Sequence, residues 1–365
     1  MTGGRFTTEI DTIAPTEWDA VVAAFDDVSC EQTAAWTDAR WGARRSSHLL
    51  LRRDGVPVGG ARVVVLQWPG IRRGIAYVKY GPFWRARGAR PDVDVYRRCI
   101  EALFREYGVR RNHCLSVLPR PNPDHERVEV EALGALGFVV RRPMVDPNRY
   151  LVDVQLDAAE RLQSLDQKWR YNLRQAQRRG IECHLDATDE AFATFAALHA
   201  RMVARKRFRN GDALHLVPIL DRSLPEAMRP RVVLGFLDGT AVAGAVVVEA
   251  GDTAYYLYGA SDEAALGSKA GYALQWWIVE WLAGRGVRWY DLGGEARDPG
   301  LRQFKKGLVG KRGAIVTAAG EFDRWTSRGG RLAADVIYGL RDAVRRLHRA
   351  RPVRVGVASP AVSAP

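Results

Sequence analysis

The sequence predicts an α/β protein made of two tandem, related domains, each a mixed, mostly antiparallel sheet with flanking helices. Three observations predict it. The first is a long internal repeat: Asp54-Gly55, Val58, Gly60, Ala61, Val63 and Val64 read again as Asp238-Gly239, Val242, Gly244, Ala245, Val247 and Val248. After a small loop difference, Ala76-Tyr77-Val78-Lys79-Tyr80-Gly81 returns as Ala254-Tyr255-Tyr256-Leu257-Tyr258-Gly259, and the register holds to Gly108-Val109-Arg110 and Gly286-Val287-Arg288. Solenoid arrays use units of about 20–50 residues, so this period describes a duplicated domain. The second is the Asp-Gly turn set between β-branched runs in both copies, a hairpin signal. The third is the amphipathic helix that follows in each copy, itself followed by a further strand.

Within each copy the elements follow in order. A strand ends at the Asp-Gly turn, a second carries Gly60 or Gly244, and a third carries the tyrosines. Helices are expected at about 92–107 and 269–285, and strands at about 113–118 and 287–292. Between the copies, one helix is expected over about 158–179. Asp157 and Glu160 form a capping-box-like start, Gly180 a stop, and Leu162, Leu165, Trp169, Leu173 and Ala176 the core stripe. Arg170, Arg174 and Arg178 recur at intervals of four on another face, with Lys168 and Arg179 nearby. A second helix, about 188–206, runs into Arg205-Lys206-Arg207-Phe208-Arg209. The C-terminal helix, about 328–349, sets Leu332, Val336, Leu340 and Leu347 against Arg341, Arg345, Arg346 and Arg349. Such a helix can lie on anionic lipid; packing against its own protein is the favoured expectation. The domains are expected at 1–153, completed by 318–350, and at 154–317, with 351–365 disordered.

Composition bounds the function. With 365 residues and 47% hydrophobic residues, each half can bury a core. The four cysteines, Cys30, Cys99, Cys114 and Cys183, form no CxxC pair and read as reduced, buried thiols. The seven histidines are scattered, so neither a metal site nor any cofactor is expected. No Ser-His-Asp order stands out. MTGGRFTTEID carries no basic-then-apolar signal, and no apolar run approaches the roughly 20 residues of a spanning helix, so a soluble, cytoplasmic protein is expected. Fifty-five basic residues against 42 acidic ones, a formal charge of +13, point to an anionic partner: nucleic acid, a pyrophosphate-bearing molecule or an anionic membrane. An arginine-rich source composition would give the same charge.

In a duplicated protein, residues present in one copy only are the candidates for chemistry. Three segments qualify: QKWRYNLRQAQRRGI; YDLGGEARDPGLRQFKKG over 290–307, where the first copy has only His113-Cys114-Leu115-Ser116-Val117; and YVKYGPFW, where Lys79 and Pro82 stand against Leu257 and Ala260.

Together these segments resemble the Fem-type (FemABX) peptidyltransferases. The family's lysine/arginine-rich helix is matched by Lys168, Arg170, Asn172, Arg174, Ala176, Gly180 and Ile181. A second motif is matched by Tyr258-Gly259-Ala260-Ser261, Lys269, Tyr272, Leu274, Gln275 and Trp276. The third is matched by Asp291 to Gly294, Gly300-Leu301 and Phe304 to Gly307, with Leu308 in place of the usual aromatic. The resemblance covers roughly 30–345 and implies two tandem GNAT-like domains, with only the second holding an acyl-transfer site. It implies transfer of an aminoacyl group from aminoacyl-tRNA to an amine of a peptidoglycan precursor, or to another amine. The larger cross-bridge enzymes carry a coiled-coil arm, for which 187–235 is too short. The armless form also occurs in members that aminoacylate antibiotics.

An aminoacyl ester is already activated, so such an enzyme need only position an amine and stabilise the oxyanion that develops. Lys305 is the candidate electrophilic partner, and Phe304 the face for the terminal adenine, a contact worth roughly 1–3 kcal/mol per base. Both roles are implied by the resemblance. Tyr256, expected on one strand face with Tyr258 and opposite Tyr255, is the candidate for orienting the nucleophile. A tyrosine-rich sheet core is the plain alternative. For the acceptor, the resemblance points to basic groups from both domains: Arg40 and Arg205 or Lys206, with Tyr77, Lys79, Tyr258 and Asp291 completing the set. Lys168, Arg170, Arg174, Arg178 and Lys306 are the candidate tRNA contacts. The expected partners are therefore aminoacyl-tRNA and the amine acceptor, for a monomer that at most touches the inner face of the membrane. The rivals are an acyl-CoA N-acyltransferase, opposed by the absence of Gln/Arg-x-x-Gly-x-Gly/Ala spacing at 266–273, and a non-catalytic RNA- or membrane-binding protein.

Overall fold

The structure, a computed structural model, describes residues 4–67, 70, 73–142, 147–206, 213–294 and 298–350, excluding the side chains of 142 and 344–350. The first half runs β1 (Phe6–Ile10), α1 (Pro15–Val22), α2 (Ala34–Trp41), β2 (Ser46–Arg53), β3 (Val56–Gln67), β4 (Gly74–Lys79), α3 (Val93–Leu103), β5 (Cys114–Leu118), α4 (Glu126–Ala135) and β6 (Val139–Arg142). A π-helical stretch, Phe104–Arg110, extends α3. The second half runs β7 (Asn148–Asp153), α5 (Ala158–Ser164), α6 (Gln167–Arg178), β8 (Glu182–Asp186), α7 (Asp189–Lys206), α8 (Val217–Ser223), β9 (Arg231–Leu237), β10 (Thr240–Ala250), β11 (Thr253–Ser261), α9 (Glu263–Ser268), α10 (Ala270–Ala283), β12 (Trp289–Gly294), α11 (Pro299–Val309) and β13 (Ala314–Thr317). The chain then returns through β14 (Glu321–Arg324) and α12 (Arg328–Ala350).

Two seven-stranded sheets result, ordered β1-β2-β3-β4-β5-β14-β6 and β13-β7-β12-β11-β10-β9-β8. The fold is the mixed, mostly antiparallel tandem α/β architecture that the repeat predicts. Among the described residues each sheet has one parallel pair, β4·β5 or β11·β12, and it follows the helical crossover. Asp54 and Asp238 adopt φ of 52° and 49°, with Gly55 and Gly239 at 83° and 75°: the Asp-Gly turns have the left-handed backbone they need. No coiled-coil arm interrupts the described residues; between β8 and β9 they hold α7 and α8.

Four expectations are corrected. The strand Asn148–Asp153, assigned to the first domain, pairs with β12 and β13 in the second sheet. The single helix over 158–179 is two helices. Leu165 takes an extended ψ of 147°, and Asp166 N–H donates to Gly307 O at 3.2 Å instead of continuing the helix. Lys311 N–H and Arg312 N–H bond to Ser164 O and Oγ, so the end of α11 captures the break, and Leu162 is left exposed. Asp157 does cap α5, accepting from Glu160 N–H at 2.8 Å.

The third correction concerns α12. It packs on the first sheet as favoured, but through Ala334, Tyr338 and Ile337, not the leucine stripe. Tyr338 Oη donates to Ser116 Oγ at 2.7 Å, and Arg341 pairs with Glu321 at 3.0 Å; polar anchors choose the face. The fourth concerns the tyrosines of β11. Val246 pairs with Tyr258 and Val247 with Tyr256, so Leu257 is an extra residue in a β-bulge. The bulge reverses the parity: Tyr256 packs with α6, α10 and Val247, whereas Tyr258 packs under α7 with Val246. Residues 207–212, including Arg207, Phe208 and Arg209, and the 351–365 tail lie outside the described residues.

Candidate functional site

The second sheet comes apart at one place. β11 and β12 pair in parallel at Thr253↔Trp289, Ala254↔Tyr290 and Tyr255↔Asp291, and the register goes no further. Beyond it the strands diverge, and a cavity of about 690 Å³ opens among β10, β11, α9, α10, β12 and α11. Its wall includes Tyr256, Gly259, Ala260, Lys269, Tyr272, Gly293, Gly294, Phe304, Lys305 and Lys206. Small residues keep it open. A Cβ on Gly259 would overlap the Tyr256 hydroxyl.

Lys305 reaches this cavity from α11 and is only 9% exposed. Asp298 caps the helix, accepting from Gly300 N–H at 2.8 Å, with Pro299 at its first position. The ammonium donates to Gly294 O at 2.8 Å and lies 5.9 Å from the Tyr150 ring centroid. The Gly294 carbonyl is set in turn by Asp291, whose Oδ1 accepts from Gly293 N–H at 2.8 Å while Oδ2 takes Arg149 Nη2 at 2.6 Å. Gly293 has φ of 83°, which its glycine supplies without strain. Burial, with the Arg149 charge adding to it and Asp291 partly offsetting it, pushes Lys305 down to about 8. At neutral pH it is still mostly an ammonium.

The aromatic side of the cavity is a cluster. Phe304 stands 5.8 Å from Trp169 and 4.9 Å from Tyr272, which itself lies 5.0 Å from Trp169. Trp169 Nε1–H donates to Phe304 O at 3.1 Å, tying α6 to α11. Phe304 is half-buried on the cavity wall. Tyr256, at 6.5 Å edge-to-face from Tyr290, is pushed up to about 12 by burial, so its hydroxyl stays protonated.

The remaining candidates divide. Lys206 lines the cavity, and Arg205 beside it donates to Ser261 O at 3.0 Å, holding the end of β11. Lys168, Arg174 and Arg178 are exposed on α6; Arg170 is half-buried and donates to Gln163 O at 3.3 Å. Lys306 is exposed on α11, which packs beside α6. Arg40, Tyr77, Lys79 and Tyr258 are not brought to the cavity wall. Arg40 is exposed on α2. Tyr77 donates to Glu321 at 3.2 Å, and Lys79 pairs with Glu31. Tyr258 packs under α7, and Asp291 is a buried partner of Arg149.

Arg149 is the candidate residue the sequence concealed. It sits in an unremarkable PNRY stretch, and only the antiparallel β7·β12 register brings it to Asp291. It also faces Tyr80, 5.9 Å from the ring, while Lys79 lies 5.4 Å from the same ring. Tyr80 is thus near a cation of each half. The junction is closed further by Arg120, which reaches Asp252 and Thr253 at 2.9 Å each. Among the described residues no metal-binding cluster occurs, and no helix is long and apolar enough to cross a membrane.

Residues 164–306 match the family described as Acetyltransferase (GNAT) domain. No curated protein matches the sequence. Among solved structures, FemX shares 19% identity, with 91% of this chain and 99% of that one covered, at a TM-score of 0.72. A conserved protein of unknown function from Bacteroides thetaiotaomicron shares 12%, covering 87% and 99%, at 0.56. L-PGS from Bacillus licheniformis shares 12%, covering 93% and 98%, at 0.52. The class these findings define is a tandem GNAT-fold protein. Its fold is like that of FemX over both GNAT-like halves.

Proposed function

We propose that the protein is an aminoacyltransferase that moves an aminoacyl group from aminoacyl-tRNA to an amine of a peptidoglycan precursor. The observation that carries this reading is Lys305: a desolvated ammonium at the floor of a cavity opened by strand divergence, beside an aromatic cluster and a basic helix face. The acceptor nitrogen attacks the ester carbonyl, forming the C–N bond and an oxyanion. The bond to the ribose oxygen then breaks, and that oxygen takes the proton the nitrogen gives up. Lys305 neutralises the oxyanion in a site where water is scarce and a fixed charge acts strongly. Its bond to Gly294 O, braced by Asp291 and Arg149, fixes the ammonium before the reaction starts.

Phe304 supplies a face for the terminal base, and Lys168, Arg170, Arg174, Arg178 and Lys306 take the phosphates behind it. Tyr256 orients the incoming amine through its protonated hydroxyl. Lys206 and Arg205 stand at the acceptor side, where an anionic group of the precursor is held. The likeness in fold to FemX supports this reading.

A CoA donor is the second reading, favoured by the match of 164–306 to an acetyltransferase family and by the start of α10 at the cavity. The loop before α10 lacks the pyrophosphate-binding spacing, which ranks this reading lower. The deciding experiment incubates the protein with charged tRNAs and candidate precursors and follows the new amide by mass. Product that disappears on RNase treatment supports the tRNA donor. Product formed from acyl-CoA and indifferent to RNase would replace it, and no product from either donor would leave a binding protein.

A further inference from the structure

The C-terminal helix α12 has two faces, and only one is used by the fold. Ala334 and Tyr338 pack on the first sheet, whereas Leu332, Val336 and Leu340, four residues apart, are 64%, 47% and 50% exposed. They form one unbroken apolar row, about 12 Å long at 1.5 Å per residue. Single exposed leucines need no explanation, but an aligned row does. We infer that this row is an interfacial membrane-binding face, and that α12 docks the protein on an anionic lipid surface.

Charge chooses lipid over a second copy of the chain. Exposed Arg328 and Arg331 stand at the start of the helix, and Arg73 joins them from just before β4, since a Cβ on Gly329 would meet its guanidinium. Beyond the described side chains the sequence adds Arg345, Arg346, Arg349, Arg351 and Arg354, with Leu347 continuing the apolar spacing. The acidic groups of α12 are already neutralised: Asp335 pairs with Arg141 and Arg331, and Asp342 with Arg341. A surface with exposed arginines beside its apolar row would repel its own copy. Three aliphatic side chains are also far short of the roughly 800 Å² per partner that stable dimers bury. An apolar row edged by arginines is the pattern of a helix that lies in a headgroup layer. The helix lies on the membrane and does not cross it. This inference stands apart from the acyl-transfer reading.

The test is co-sedimentation of the full chain with vesicles of 30% phosphatidylglycerol in phosphatidylcholine, and with pure phosphatidylcholine. The wild type should bind the anionic vesicles at least about tenfold more tightly, and high salt should weaken binding. Leu332→Asp/Val336→Asp/Leu340→Asp should lose about tenfold or more with an unchanged melting temperature, since these side chains support no core. Arg73→Gln and Arg328→Gln should each lose about fivefold, the share of one basic residue near an anionic surface. Three results would overturn the inference: no binding to anionic vesicles at low salt; equal binding by the wild type and the triple aspartate variant; or, in light scattering, a dimer that the triple variant dissolves while vesicles bind neither form.

Discussion

In the first half β4 stays paired with β5 from Ile75↔Cys114 to Lys79↔Leu118, and Tyr80 N–H extends the ladder to Leu118 O at 2.8 Å. In the second half the equivalent strands pair from Thr253 to Tyr255 and then part. Aligned through the repeat, Val78 and Lys79 have partners that Tyr256 and Leu257 lack. Gln32 stops the end of β4, donating to Lys79 O at 2.6 Å and accepting from Arg62 N–H at 2.9 Å. At the end of β11 a bulge turns Tyr256 across Gly259, and a cavity stands where the first half is closed. The same ancestral strand pair thus serves as scaffold in one half and as a site in the other. What separates them is how many parallel pairs the ladder keeps.

This contrast can be broken by substitution, with effects expected in decreasing order. Lys305→Ala should cut turnover by about 10²–10³-fold, the usual cost of losing one oxyanion-stabilising group, while circular dichroism shows an intact fold. Lys79→Ala, its counterpart in basic character on the closed side, should change turnover less than about twofold. It should instead lower stability by about 1–3 kcal/mol in urea titration, because Glu31 loses its partner.

Gly259→Ala should displace Tyr256 and lower turnover by about 10–10²-fold, the scale of a 1 Å misplacement. The matching Gly81→Ala meets Gln32 at 2.7 Å and should cost about 1–3 kcal/mol of stability with little loss of activity. Two alanines at equivalent positions would then report site and scaffold separately, in steady-state rates and melting curves.

The pH dependence follows from Lys305. Its charged form is the useful one, and its pKa lies at about 8, so turnover should fall about tenfold per unit above pH 8; Lys305→Arg should remove that limb. Stability moves the opposite way. The folded value lies below the ordinary 10.5, so the unfolded chain holds more protons between the two, and wild-type stability relative to Lys305→Met should rise as pH climbs from about 8 to 10.5. The smallest effect belongs to the basic face. Arg174→Gln should weaken RNA binding severalfold and reduce the log–log salt slope by about 1, read by filter binding across a salt series.

Much of this was legible in the sequence, for identifiable reasons. The repeat carries its own turn chemistry, so the hairpins and the two-copy plan follow from Asp54-Gly55 and Asp238-Gly239. The segment of Lys305 and Phe304 stands out because the first copy has no counterpart to it, and the roles of the two residues follow from the resemblance. The helix break at Leu165 was not visible, since Asp166 N–H and the carbonyl of Ser164 bond to a helix end well over a hundred residues away. Nor was the parity of Tyr256 and Tyr258, because one inserted residue in a ladder leaves no mark in composition. Arg149 acquires its role only from antiparallel register. The docked face of α12 is not legible either, because Tyr338 and Arg341 have buried hydrogen-bond partners that hydrophobic periodicity does not count.

Photocrosslinking locates the donor most directly. A charged RNA minihelix ending in 8-azidoadenosine should, on irradiation, label peptides from 256–261 or 298–305, at the parted strands and the start of α11, and the label should be displaced by uncharged tRNA. Labelling confined to 74–84 of the zipped half, or none above that of an unrelated RNA, would contradict the assignment of the site.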